Sequence, residues 1–194
     1  DTLEYHIMSD PVYPPLAVGE SCLDTLYATI PYEMYGTHYF YVWTNYDGRT
    51  NEYANVSNNV FRSDSVHIQL TPPADLVPAD LSFPTEVSTG EALPYSFSIV
   101  NQGAGEPNII DWINNVFLTR SPAELEDVMI IGTHPYSGLT YGTFGPEASH
   151  TFRDSVVFSS SNNIPAGEYY LYVDVDADNN VFEYLYEDNN LVQN

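Results

Sequence analysis

The sequence predicts an all-β protein built of antiparallel β-sandwich modules, and three observations carry that reading. Short segments alternate apolar and polar residues, helical periodicity is missing, and a 25-residue block occurs twice. In Leu93-Pro94-Tyr95-Ser96-Phe97-Ser98-Ile99 the odd positions are apolar and the even ones mostly small. Val66-His67-Ile68-Gln69-Leu70 alternates likewise, and Tyr169, Leu171, Val173 and Val175 share one face. Period two over short segments, punctuated by Gly, Asn, Asp and Pro, marks a half-buried antiparallel sheet. No stretch of a dozen residues repeats apolar positions at helical spacing, and 14 prolines interrupt the chain. The 17 tyrosines suit a pleated surface that is half wet, each pairing an apolar ring with a polar tip.

The repeat sets the organisation. Gly36–Val60 aligns without a gap on Gly167–Leu191, with nine of 25 positions identical at a spacing of 131 residues. Each copy reads as a strand, a tight turn at Asp47-Gly48 or Asp178-Asn179, and a returning strand. Asp-Gly tolerates the positive φ of a two-residue hairpin turn. Upstream, Asp24, Leu26 and Ala28 face Asp154, Val156 and Phe158 after a one-residue slip. The expected units are residues 1–72, the C-terminal portion of a first sandwich, and residues 73–194, a second and nearly complete one. The Pro-rich segment from Thr71 to Pro78 joins them as a stiff spacer.

The second copy resembles a CARDB domain, the cell-adhesion-related domain found in bacteria, from about Pro73 to Asn194. The resemblance rests on Ala79-Asp80-Leu81, Asn101-Gln102-Gly103, Trp112 leading into Val116-Phe117-Leu118-Thr119, Ala166–Leu171, Asp178, Glu183 and Glu187-Asp188-Asn189-Asn190. It implies an immunoglobulin-like antiparallel sandwich and a structural or adhesive role without catalysis. The first copy matches from about Leu16 to Leu70 and departs from the pattern with Val56 where the second has Glu187.

Charge narrows the partners. Four Lys+Arg stand against 27 Asp+Glu, a net charge of −23, so no basic stripe is present to neutralise phosphates of nucleic acid or an anionic membrane. No apolar run approaches the roughly 18 residues of a membrane helix. The acidic balance suits a protein kept soluble at high salt or one that recruits cations. Asp174, Asp176, Asp178, Asn180, Glu183, Glu187 and Asp188 form an acidic hairpin whose hard oxygen ligands at alternating spacing could hold Ca²⁺. It is not an EF-hand, because counting from Asp174 puts Asn179 at position 6 and Leu185 at position 12. The competing reading is an exposed sheet face with a turn closed by its own Asx side chains. On an extended strand alternate residues stand about 7 Å apart, far for one ion unless the turn curls them together. Asn58-Asn59 and Asn189-Asn190 read as residues that fasten a strand entry through side-chain-to-backbone bonds rather than as ligands.

Catalytic constellations are weak. His6, His38, His67, His134 and His150 are scattered and read as sheet-surface residues, while Cys22 reads as a buried, inert thiol near a strand start. Trp43 and Trp112 could serve carbohydrate stacking, but both read more readily as core anchors, Trp112 above all. No phosphate-cradling glycine loop occurs. The expected function is a non-catalytic structural or adhesive repeat module of a secreted or cell-surface filament or adhesin, extracellular, with neighbouring copies or adjacent repeats packed head-to-tail. The alternative is a module that binds glycan or protein and is accessory to a secreted enzyme. Asp1 opens in mid-pattern, so the chain reads as an excised piece. A 131-residue spacing would open the first unit well before Asp1, and Phe61–Leu70 would map past Asn194. The arithmetic thus predicts a first sandwich without its opening strands, a second without its final strand, and open edges that another chain could complete.

Overall fold

The computed structural model describes residues 16–123, 125–158 and 164–193; His6 and the first fifteen residues of the expected first unit lie outside them. The elements in chain order are β1 (Gly36–Trp43), a single 3-10 turn (Val56–Asn58), β2 (Val60–Ile68), β3 (Leu76–Ser82), β4 (Ala92–Asn101), β5 (Asp111–Thr119), β6 (Met129–Ser137), α1 (Gly138–Tyr141), β7 (Ser149–Val157), β8 (Tyr170–Asp174) and β9 (Leu191–Gln193). Among the described residues, β1 and β2 form a two-stranded ribbon. The others form sheets ordered β3-β4-β7 and β6-β5-β8-β9. Every pairing is antiparallel. The protein is therefore nearly all β, and its second part is a sandwich of a three-stranded and a four-stranded sheet.

Alternation builds the core as expected. Leu93, Tyr95, Phe97 and Ile99 of β4 turn inward with Phe152 of β7, and meet Trp112, Val116 and Leu118 of β5 with Leu171 and Val173 of β8. Burying side chains of this size stabilises by about 1.5–3 kcal/mol each relative to exposure, before entropy is counted. Trp112 stacks on Tyr136 at 4.1 Å between centroids, with Phe144 edge-on at 5.5 Å, so it is a core anchor. Phe117 and Tyr172 are buried by each other on the outer face, their rings parallel to within 4°.

Three expectations need correction. His134 is not a surface residue: it lies between the sheets, its Nε2 3.0 Å from the Tyr95 hydroxyl. Gly132 makes room for this pair, since a Cβ there would sit 2.0 Å from the Tyr95 oxygen. Cys22 is exposed, because residues 21–30 form no strand and find no sheet to lie on. Nor are the Asp47-Gly48 and Asp178-Asn179 turns two-residue hairpins. Of each pair only Gly48 or Asn179 takes positive φ, and the strands stop early, leaving long corners at 44–59 and 175–190.

The Asn101-Gln102-Gly103 segment has a packing reason. Asn101 is fully buried; its amide donates to the Gly105 and Phe144 carbonyls at 2.8 Å each, and its Oδ1 accepts from Asp75 N–H at 3.1 Å. The loop lies so close to the backbone preceding β3 that a Cβ on Gly105 would stand 1.8 Å from the Pro72 carbonyl oxygen. Gly105→Ala should therefore cost about 1–3 kcal/mol by displacing that backbone, read as a lower urea midpoint at unchanged slope; an unchanged midpoint would show that the loop yields freely.

Candidate functional site

The acidic corner between β8 and β9 is where the predicted site residues fall. β8 ends at Asp174, and Asp176 takes a left-handed backbone at φ 49° that turns the chain away from the sheet. Asp176 is buried, and its Oδ2 accepts from Val181 N–H at 2.8 Å, closing the loop. Glu183 is fully buried. One of its carboxylate oxygens accepts the backbone N–H of Leu76 at the start of β3, and the other accepts from Asn190 Nδ2 at 2.6 Å. Glu187 accepts from the Glu183 N–H at 2.9 Å, and Asn189 Nδ2 donates to Asp75 Oδ1 at 2.9 Å. Asn189 and Asn190 thus bond other side chains, the Asp75 carboxylate ahead of β3 and the buried Glu183, rather than the backbone of the strand they precede. Asp174 is half-buried, whereas Asp178, Asn180, Glu187 and Asp188 are exposed. Asp176 and Glu183 are thus gathered beneath the corner, and Asp178 and Asn180 face outward. Among the described residues no group of three or more His, Cys, Asp or Glu is disposed to hold a metal ion.

Burial sets the electrostatics. It pushes the Glu183 carboxyl up to about 7, against the pull of the bonds from Leu76 and Asn190 and with the charges of Glu187 and Asp176 adding to the rise. Asp176 is raised by burial too, and Asp174 by burial alone. Asp176 Oδ1 and Asn190 Oδ1 are buried with no hydrogen-bond partner. Two carboxylates under one corner, one with an orphaned oxygen, favour a retained proton or a counter-cation.

The ribbon repeats this corner's turns, register and Glu–Asn clasp 131 residues earlier, without the bond that Glu187 makes, since Val56 stands there. Trp43, Val42 and Tyr41 pair with Val60, Phe61 and Arg62 as Asp174, Val173 and Tyr172 pair with Leu191, Val192 and Gln193. Thr44 N–H donates to the Asn59 carbonyl as Val175 N–H does to that of Asn190, both at 2.9 Å. Asn45, Gly48 and Tyr53 take positive φ, as do Asp176, Asn179 and Tyr184. Thr50 N–H closes on Asn45 Oδ1 at 2.9 Å, and Asn59 Nδ2 donates to Glu52 Oε2 at 2.5 Å. The substitution that bears most directly on the acid is at the Asp176 position. Where Asp176 has an orphaned oxygen, Asn45 has an amide that donates to the Thr50 carbonyl at 2.7 Å and to Glu52 Oε2 at 2.8 Å. Hydrogen bonds from Asn59 and Asn45 hold the Glu52 carboxyl below its ordinary range, opposite to Glu183.

Sequence reasoning identified the block but not the Glu–Asn clasp within it; the signal was there, since Glu52, Asn59, Glu183 and Asn190 are among the identical positions. The Tyr95–His134 pair carried no such signal, being made between strands 39 residues apart.

No protein-family model matches the chain, and no curated protein matches it. Among solved structures it is similar to the CARDB domain of a Pyrococcus furiosus protein, in a crystal structure described as a complex with di-metal ions, at 17% identity over 62% of this chain and 89% of that one, with a TM-score of 0.46. The solution NMR structure of that domain is similar at 18% identity over 63% of this chain and 93% of that one, also with a TM-score of 0.46. Beta-glucosidase 3B from Thermotoga neapolitana is similar at 17% identity over 56% of this chain but 15% of the enzyme, with a TM-score of 0.38. The first two of these are structures of the CARDB domain, the family that the sequence resembles. Among the described residues no helix is long and apolar enough to cross a membrane.

Asp176→Asn should let the second corner donate to Glu183 as Asn45 donates to Glu52. The expected gain is on the order of 1–2 kcal/mol at pH 8. A raised carboxyl binds its proton more tightly in the folded chain, so this strain on the wild type is present above about pH 7 and relieved as pH falls towards 4.5. The gain should therefore shrink between pH 8 and pH 5. Glu183→Ala leaves the Leu76 N–H and Asn190 amide unpaired and should cost about 2–4 kcal/mol. Urea unfolding of the three proteins at both pH values tests this; an Asp176→Asn protein no more stable than wild type at pH 8 contradicts it.

Proposed function

We propose that this chain is a non-catalytic structural repeat segment of a secreted or cell-surface filament or adhesin, with residues 1–72 and 73–194 as successive units packed head-to-tail. The observation that supports the reading best is the duplicated corner: the same backbone turns, side-chain clasp and strand register recur 131 residues apart. Repeated modules that contact chiefly their neighbours are the economy of extended surface proteins. The net charge of −23 suits an extracellular, salty setting, where self-repulsion is screened. Antibody raised against this chain should label intact cells of the source without permeabilisation. Label that appears only after permeabilisation overturns the surface assignment.

Calcium belongs to the same proposal. What supports the reading is the buried Asp176 Oδ1 without a hydrogen-bond partner, on a carboxyl that the charges of Glu187 and Asp178 also act on. A bound ion would supply the positive charge that Asn45 replaces with an amide in the ribbon. Millimolar calcium should then raise the melting temperature relative to a chelated sample, and Asp176→Asn should remove the rise. An unchanged melting temperature leaves a turn closed by its own side chains.

A further inference from the structure

The two corners differ in what lies over them. In the sandwich, the opening strand covers the corner. Leu76 gives its N–H to Glu183, Asp75 takes the Asn189 amide, and Ala74 and Leu76 are fully buried. In the ribbon, Glu52 makes the same bond to its asparagine, yet its other oxygen, Oε1, has no hydrogen-bond partner among the described residues. Asn58 stands at the position of Asn189 and is exposed. The ribbon's corner is a cleft of about 480 Å³ bordered by Trp43, Tyr46, Thr50, Glu52, Val56 and Asn59. Trp43 is 58% exposed there, with Val42 at 59% and Phe61 at 71%.

We infer that the Glu52 corner is a docking groove for one extended strand of the Ala74-Asp75-Leu76 kind, supplied by another module of this repeat. The inference rests on the repeat-module reading above and names its contact. The incoming backbone N–H takes Glu52 Oε1, its aspartate takes the Asn58 amide, and its apolar residues cover the cleft and the exposed ribbon. The occupant is specified by its counterpart in the same chain. The sandwich corner has identical turns and register, and the strand it holds has that sequence. The chain's own β3 is not a candidate, because Glu183 and β4 already hold it. Main-chain bonds would give affinity and the alternate apolar side chains selectivity, as in other strand additions.

A synthetic peptide of the Pro72–Ser82 sequence, titrated into the full chain in about 0.5 M NaCl to screen the like charges, tests this through indole fluorescence. Trp43 is exposed in the groove and Trp112 is buried in the core, 3% exposed, so a saturable blue shift reports the groove. The expected result is saturable binding that is weakened at least tenfold by Glu52→Ala, and equally by N-methylation of the peptide leucine standing for Leu76. The methylated peptide leaves the protein untouched, so a Glu52→Ala variant that unfolds the ribbon does not blunt the test. No saturable shift overturns the inference, as does equal binding of the methylated peptide. So does self-association that persists in Glu52→Ala and resists the peptide, because a second copy would then cover the ribbon by another contact. Any of these failures leaves the surface-repeat reading intact if intact cells still label with antibody.

Discussion

The buried carboxylate of Glu183 is the joint on which the sandwich closes. β3 belongs to one sheet and β8–β9 to the other, and at this pole the acid links them through the Leu76 N–H and the Asn190 amide. From it a polar chain runs on: Asn189 to Asp75, Asp75 to Asn101, Asn101 to the carbonyls of Gly105 and Phe144. Each group along it would be costly to bury unpaired, on the order of 1–3 kcal/mol for a neutral one and more for a charge. The network therefore commits the start of β3, the end of β4, the loop before β7 and the β8–β9 corner to one mutual position. The apolar core supplies most of the driving force, while this chain chooses which ends meet.

The two corners differ in the group set beside the acid and in how deeply the acid is buried. Their backbones agree, yet Asn45 donates an amide hydrogen bond to its acid, and Asp176 places a second carboxylate in the same position. Glu52 and Glu183 consequently move in opposite directions from one ordinary value, the first held down by amide donors and the second pushed up by burial.

What was legible in the sequence follows from the range of the interactions. The alternation in Leu93–Ile99 and the stacked Trp112 are local consequences of a pleated strand with one buried face, and both stand as read. The repeated block was legible because its turns are closed within it, by Asn45 on Thr50 and Asp176 on Val181. The fate of its glutamate was not, because burial of Glu183 is decided by Leu76, 107 residues away. The long corners were mistaken for hairpins for a related reason. Asp-Gly signals a turn, but side-chain closure at Asn45 and the clasp to Glu52 had already ended the strand. His134 and Cys22 went opposite ways because three-dimensional neighbours, a tyrosine for one and no sheet for the other, settled their exposure.

The directions of β3 and β9 have a mechanical meaning. Both strands set out from the Glu183 pole, β3 at Leu76 and β9 at Leu191, and both run away from it. A tug between the beginning of β3 and the end of β9 would be directed along the strands rather than across them. The ladder bonds would then share the load together, instead of parting one after another like a zip. The Pro72-Pro73 segment just ahead of this pole has little slack to give, so stretching a string of such units would reach the sandwiches early. The Glu183 clasp would be among the first bonds to feel it.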